Sequence, residues 1–203
     1  MTAHDFRPVK QELAVCSVVA DVWQYLIMIS DRFQTARLIL RPISPADAAP
    51  IFDTYAQDPD VTRFLTWRPH RTLAETEAYV TRCLATPSHL SRTYVLVGRQ
   101  DKTIRGAFDL RQPEPYRLGY GYVLARPWWG QGLMTEALAE VARWALNRED
   151  IWRIGDVCDV ENLASARVME KAGMTRDGLL RRWTMHPNVS DEPRDCFSFA
   201  KVR

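Results

Sequence analysis

Gly121 to Leu146, GYVLARPWWGQGLMTEALAEVARWAL, is the stretch whose reading decides the fold. Gly121 to Leu124 is short, apolar and aromatic, Arg126-Pro127 ends the extended run, and Leu133, Ala137, Val141, Trp144 and Ala145 then recur at helical spacing. The pattern predicts a strand, a glycine-containing loop and a long amphipathic helix. At such a helix start several backbone N–H groups lack an intrahelical partner and the dipole is positive, so a phosphate is held there without a lysine or arginine side chain. Gly130 and Gly132 have no Cβ to keep a bulky anion from the main chain. The competing reading is an ordinary helix start after a turn, which two glycines alone do not exclude. A nucleotide P-loop is disfavoured, because no Gly-Lys-Ser/Thr follows Gly132.

About thirty residues further on, Val160 to Gly173, VENLASARVMEKAG, predicts a compact helix with Asn162 as N-cap and Gly173 as stop. Ahead of the loop, Arg37 to Arg41 reads as a short alternating strand closed by Pro42. Ser44-Pro45-Ala46-Asp47 starts a helix to about Gln57, Thr62 to Thr72 reads as a loop, and Thr72 and Glu75 form a capping box for a helix over 73–85. Strands follow at Thr93 to Arg99, Thr103 to Leu110 and Arg117 to Leu124, the last after a turn at Pro113-Glu114-Pro115. Arg153 to Val160 returns from the long helix as a locally parallel strand, and Leu179 to Met185 and Cys196 to Val202 close the chain. The predicted fold class is α/β or α+β.

The loop and the second helix together resemble the GNAT family of acyl-CoA-dependent N-acyltransferases. That family's signature is Gln/Arg-x-x-Gly-x-Gly/Ala, here Trp129-Gly130-Gln131-Gly132-Leu133-Met134, in which Gly132 matches while Trp129 and Met134 depart. The departures resemble the ribosomal-protein N-terminal acetyltransferase (Rim-type) branch, as do Gly121-Tyr122, Thr135-Glu136-Ala137 and the set Asn162, Ser165, Val168, Glu170, Lys171 and Gly173. Trp67 and the segment around it are also similar to that branch, where they line the acceptor groove. The resemblance covers roughly Ala36 to Arg203. It implies a mixed, mostly antiparallel sheet with flanking helices, splayed at the cofactor strand near Val123.

The implied activity is acetyl transfer from acetyl-CoA to a primary amine, a small molecule or a protein N-terminus, by direct attack. On this resemblance the pyrophosphate lies on the backbone of Gly130, Gln131, Gly132, Leu133, Met134 and Thr135. Pantetheine adds as a strand along Tyr122, Val123, Leu124 and Ala125, with an oxyanion held by an N–H near Val123 or Leu124. Asn162 bonds the pantetheine, and Ser165, or a nearby tyrosine, protonates the leaving thiolate. Some relatives carry a carboxylate two residues before the Gly-Tyr pair. This chain has Gly119 there, so Asp109, Glu114 and ordered water stay open as the base, with His186 a further candidate lacking an identifiable carboxylate partner. A non-catalytic acyl-CoA sensor or scaffold is the alternative function.

The 203 residues, 46% hydrophobic, suffice for a single domain over 31–203 behind an extension at 1–30. Balanced charge, 27 basic against 25 acidic residues, argues against nucleic acid. Cys16, Cys83, Cys158 and Cys196 are widely spaced, without CxxC, which argues against a metal site and reads as buried thiols in a reducing cytoplasm. Leu13 to Ile29 is apolar but interrupted by Asp21 and Gln24 and too short to span a membrane, so it reads as an extra helix, on the domain or between two subunits of a homodimer, or as a mis-assigned leader before Met28.

Overall fold

The computed structural model describes residues 29 to 203, so the expected N-terminal extension, apart from Ile29 and Ser30, and Cys16 lie outside the described residues. One sheet of eight strands organises the chain: β1 (Phe33–Gln34), β2 (Leu38–Pro42), β3 (Ser91–Gly98), β4 (Ile104–Glu114), β5 (Arg117–Leu124), β6 (Arg153–Asp159), β7 (Thr175–Thr184) and β8 (Arg194–Val202). The order is β1-β2-β3-β4-β5-β6-β8-β7. Among the described strands only β5 and β6 pair in parallel, as the intervening helix demands. Among the described residues, five α-helical segments flank the sheet: α1 (Ala48–Ile51), α2 (Pro59–Thr62), α3 (Leu73–Ala85), α4 (Leu133–Leu146) and α5 (Leu163–Lys171). The fold is thus the mixed, mostly antiparallel α/β class that the sequence predicts.

Alternation along the strands divides the core between the two faces. Leu38, Leu40, Tyr94, Phe108, Leu118 and Tyr120 pack beneath α4 and α5, whereas Val95, Val97, Ala107 and Ala125 pack beneath α1 and α3. In α4 the apolar stripe Leu133, Met134, Ala137, Leu138, Val141 and Ala145 is almost wholly buried, which sets the helix rotation and hence the aim of its N-terminus.

Local expectations fail where a side chain finds a different partner. The helix expected from Ser44 to Gln57 is a 3-10 turn (Pro45–Asp47), α1 and a π-helical turn (Phe52–Ala56), because Pro50 offers no N–H to an α-ladder. Between the expected helix and the expected loop lies a turn the sequence reading did not foresee, α2, capped by Asp58, whose carboxylate accepts from the N–H groups of Asp60 and Val61. The capping box at Thr72 does not form: Glu75 accepts from the N–H of Arg71 at 2.7 Å. Strand β4 runs on through Pro113 by a register shift between Arg111 and Glu114, so the turn falls after Glu114 rather than around it.

Candidate functional site

The loop after β5 is built for an anion. Gly130 and Gly132 adopt left-handed φ values of 72° and 73°, which a side chain would strain, and Gly132 begins α4 without a side-chain cap. The first N–H to close the helix is that of Glu136, on the carbonyl of Gly132 at 3.0 Å, so the amides of Leu133, Met134 and Thr135 precede the intrahelical ladder. Leu133 and Met134 are buried in the core, which fixes the first turn of α4 and with it the direction of its N-terminus. Arg37, which the sequence reading passed over, stands beside this loop. Its guanidinium donates to the Gln131 carbonyl at 2.9 Å and to Glu136 at 2.7 Å, its own N–H bonds Glu136 at 2.9 Å, and an atom placed at the Cβ position of Gly132 would lie 3.8 Å from its Nη2. Burial would raise the Glu136 carboxyl, but hydrogen bonds from Thr35 and Arg37 outweigh it and hold the group low. The acid of the Thr-Glu-Ala triplet therefore staples the loop to β2.

The edge of β5 lies open next to this loop. The β5–β6 ladder contains only Arg117 with Arg153 and Leu118 with Ile154, so the strands part from Gly119 onward, earlier than the expected position at Val123. The Ala125 N–H bonds Arg105 of β4 at 2.8 Å, and the Tyr120 N–H bonds Asp156 of β6 at 2.9 Å. Strand alternation then turns the N–H groups of Tyr122 and Leu124 into the gap and that of Val123 toward Ala107 of β4. Two backbone acceptors near the expected pantetheine track are occupied: the Trp129 indole donates to the Leu124 carbonyl at 2.6 Å, and the Trp128 N–H to that of Ala125 at 3.0 Å. Ala125 is fully buried in the second core, so neither its amide group nor its methyl faces the gap.

A cleft of about 650 Å³ passes through the opening between the strands. On the α5 side it is lined by Asn162, Ser165, Tyr122 and Cys158, and on the α3 side by Ser91, Thr93, Asp109, Arg111, Tyr79 and Trp67. Asn162 caps α5 through its side-chain oxygen, which accepts from the Ser165 N–H at 3.1 Å. That cap fixes Ser165 in the first turn, where its Oγ lies 2.8 Å from the Tyr122 hydroxyl. Burial raises the Tyr122 phenol further than the serine bond lowers it, so the phenol keeps its proton. Burial likewise pushes the Cys158 thiol up to about 12, which removes it as a competing nucleophile at neutral pH.

Two sets of acids meet in the cleft, and the sequence reading had assembled neither. In the first, Arg111 bridges Asp109 at 3.2 Å and Asp156 at 2.7 Å, and Asp109 accepts from Ser91 at 2.8 Å. Burial pushes the Asp156 carboxyl above the ordinary aspartate range against the pull of Arg111 and of the Val157 and Tyr120 N–H groups. In the second, His186 is buried with its Nε2 3.8 Å from Asp159, so the histidine does have a neighbouring carboxylate. Burial lowers its pKa against the attraction of Asp159, which in turn is bound by Arg194 at 2.5 Å. Glu114 lies at the end of β4, 3.9 Å from Arg117, and does not line the cleft. Trp67 lines the cleft and packs against the second core. Among the described residues no cluster of His, Cys, Asp and Glu has the geometry of a metal site, and no helix is long and apolar enough to cross a membrane.

Comparison with known proteins agrees with this architecture. The model of the acetyltransferase (GNAT) domain matches residues 37–175. An uncharacterized N-acetyltransferase of Bacillus subtilis, YoaA, is 27% identical over 173 residues, 84% of this chain and 97% of the relative. The crystal structure of a GNAT-family acetyltransferase from Bacillus anthracis superposes with a TM-score of 0.74 at 22% identity, covering 84% of this chain and 98% of the other. That of RimL, an alpha-N-protein acetyltransferase in complex with coenzyme A, does so with a TM-score of 0.72 at 21% identity over 83% and 95%. With the glycine loop at the start of α4, the parted strands and a family match over more than half its length, the chain is an N-acetyltransferase of the GNAT family.

Proposed function

We propose that the protein transfers an acetyl group from acetyl-CoA to a primary amine by direct attack within a ternary complex. The observation that carries this reading is the cleft through the parted strands, with the paired hydroxyls of Tyr122 and Ser165 on one side and an acidic, aromatic groove on the other. The family supplies the acyl donor, a thioester already activated for attack. The backbone of Gly130 to Thr135, with Arg37 beside it, would hold the donor's pyrophosphate. The outward N–H groups of Tyr122 and Leu124 would pair with its amides and stabilise the oxyanion that forms at the acyl carbon. Asn162 would bond the pantetheine, and the Tyr122–Ser165 pair would return a proton to the thiolate. A neutral Cys158 thiol argues against an acyl-enzyme and for direct transfer.

The acceptor is an amine small enough to enter between Trp67, Tyr79 and Arg111, or the N-terminus of a protein laid across that groove. The Rim-type spelling of the loop favours the N-terminus. The free thiols Cys83, Cys158 and Cys196 suit a reducing cytoplasm. The decisive experiment is turnover of acetyl-CoA against peptides with free N-termini, spermidine and kanamycin, following thiol release and the acetylated amine together. One acetylated amine per thiol released is expected. Tight coenzyme A binding without acetylation of any acceptor would replace this reading with that of an acyl-CoA sensor.

A further inference from the structure

We infer that Asp156 is the general base that deprotonates the acceptor amine, its carboxylate reaching from β6 into the space that Gly119 of β5 leaves empty. The inference rests on the acetyl-transfer reading and assigns the one role that reading leaves unfilled. A Cβ built on Gly119 would lie 3.2 Å from Asp156 Oδ2, a tight contact that would press the carboxylate out of place by a few tenths of an ångström. Oδ2 accepts from the Tyr120 N–H at 2.9 Å and from Arg111 at 2.7 Å, which fixes the side chain in place. Oδ1 accepts from the Val157 N–H at 2.8 Å, and the side chain retains 24% of its exposure, toward the cleft. Tyr120 is two residues from Tyr122 on the same edge, about 7 Å at the rise of a strand. That spacing leaves room for an amine, or an amine and one water, between the carboxylate and an acyl group held at Tyr122.

The other acids are less well placed. Asp109 is tied to Ser91, Thr93 and Arg111 on the floor formed by β3 and β4. His186 is buried, with its Nε2 turned to Asp159, which Arg194 already engages. The raised affinity of Asp156 for a proton suits a base better than an ordinary aspartate would.

The reaction then balances. The acceptor arrives as an ammonium and gives one proton to Asp156, its N–H electron pair staying on nitrogen. That pair forms the C–N bond as the carbonyl π pair moves to oxygen. Collapse breaks the C–S bond, whose electron pair leaves on sulfur; the Tyr122–Ser165 pair gives sulfur a proton and is restored by the second proton that nitrogen loses, so the products are amide, thiol and the proton on Asp156, which passes to water.

Three measurements on the full chain test this. With whichever of a free-N-terminal peptide, spermidine or kanamycin turns over fastest, Asp156→Asn is expected to lower kcat/KM at pH 7 by about 100 to 10,000-fold. Coenzyme A affinity should stay within threefold and the acidic limb of the pH profile should vanish. Gly119→Ala, which crowds the carboxylate without removing it, is expected to give an intermediate loss and to displace that limb. For the wild type with coenzyme A bound, carbon-13 NMR of the carboxyl groups, with Asp156→Asn identifying the resonance, is expected to show titration above about 3.9, the ordinary aspartate value. A kcat/KM within threefold of wild type in Asp156→Asn, an acidic limb that persists in it, or a carboxyl titrating at or below the ordinary value would each overturn the assignment. The wild type's own turnover separately tests the acetyl-transfer reading.

Discussion

Replacing Ser165 by alanine isolates the proton donor from the scaffold that holds it. The cap on α5 uses the backbone N–H of residue 165, 3.1 Å from Asn162, so it survives the loss of the hydroxyl. The Tyr122 phenol loses its 2.8 Å partner but keeps the residue-165 carbonyl at 3.3 Å, so the stability cost should stay at or below about 1 kcal/mol. A thiol of pKa near 8.5 leaves readily as thiolate, so proton donation should contribute about 10 to 1,000-fold, the low side of what general acids supply. That range corresponds to about 1.4 to 4.1 kcal/mol of barrier. Tyr122→Phe should cost a similar factor, and the double variant little more than the worse single one, because the two hydroxyls act as one relay. Steady-state thiol release gives kcat, and calorimetric titration gives coenzyme A affinity, which should change by no more than a few-fold. If Ser165→Ala keeps both kcat and melting temperature, the serine is not in the mechanism; if Tyr122→Phe does the same, water is the donor.

Four further outcomes follow from the same geometry. Gly132→Glu, which strains a left-handed position and puts a carboxylate at the anion site, should abolish measurable coenzyme A binding by calorimetry, and equal affinity would refute the phosphate loop. Arg37→Ala should weaken that binding about tenfold and make it less salt-dependent, since it removes a cation beside the loop and loosens its staple to Glu136. Asn162→Ala should cost about 1 kcal/mol in urea unfolding and weaken coenzyme A binding together, whereas a purely structural cap would alter only the first. For Asp159, burial raises the carboxyl but the bonds from Arg194 and the Glu161 N–H outweigh it, so the folded state holds the group below its unfolded value. Its contribution is therefore fully present above about pH 3.9 and lost as pH falls through the lower folded value, and Asp159→Asn should flatten the acid limb of a stability–pH curve.

What could be read from the sequence is what depends on local chemistry. The helix over Leu133–Leu146, the left-handed glycines before it and the Asn162 cap each follow from spacing or from one residue's dihedral freedom, and each stands where expected. The acid cluster escaped because Asp156 of β6 lies 45 residues from Arg111 and meets Asp109 and Arg111 of β4 only through the register of β4 on β5 and the parting of β6. Arg37 was hidden for the same reason, lying 99 residues from its partner Glu136. At Thr72 the capping-box motif was present, but Glu75 chose the neighbouring N–H of Arg71, a competition that sequence spacing does not resolve. The carboxylate beside His186 could not be identified in the sequence, because Asp159 lies on β6 and the loop after His186 is drawn inward by Asn188, whose amide donates to the carbonyls of Thr62 and Trp67 at 2.8 and 2.7 Å.

The crystal structure of the protein with coenzyme A tests the central claim most directly. It should place the pyrophosphate within hydrogen-bond distance of the amides between Gly130 and Thr135, the pantetheine in the gap between β5 and β6, and the thiol beside the Tyr122–Ser165 pair. A cofactor bound elsewhere, or one whose pantetheine stays outside that gap, would contradict the account.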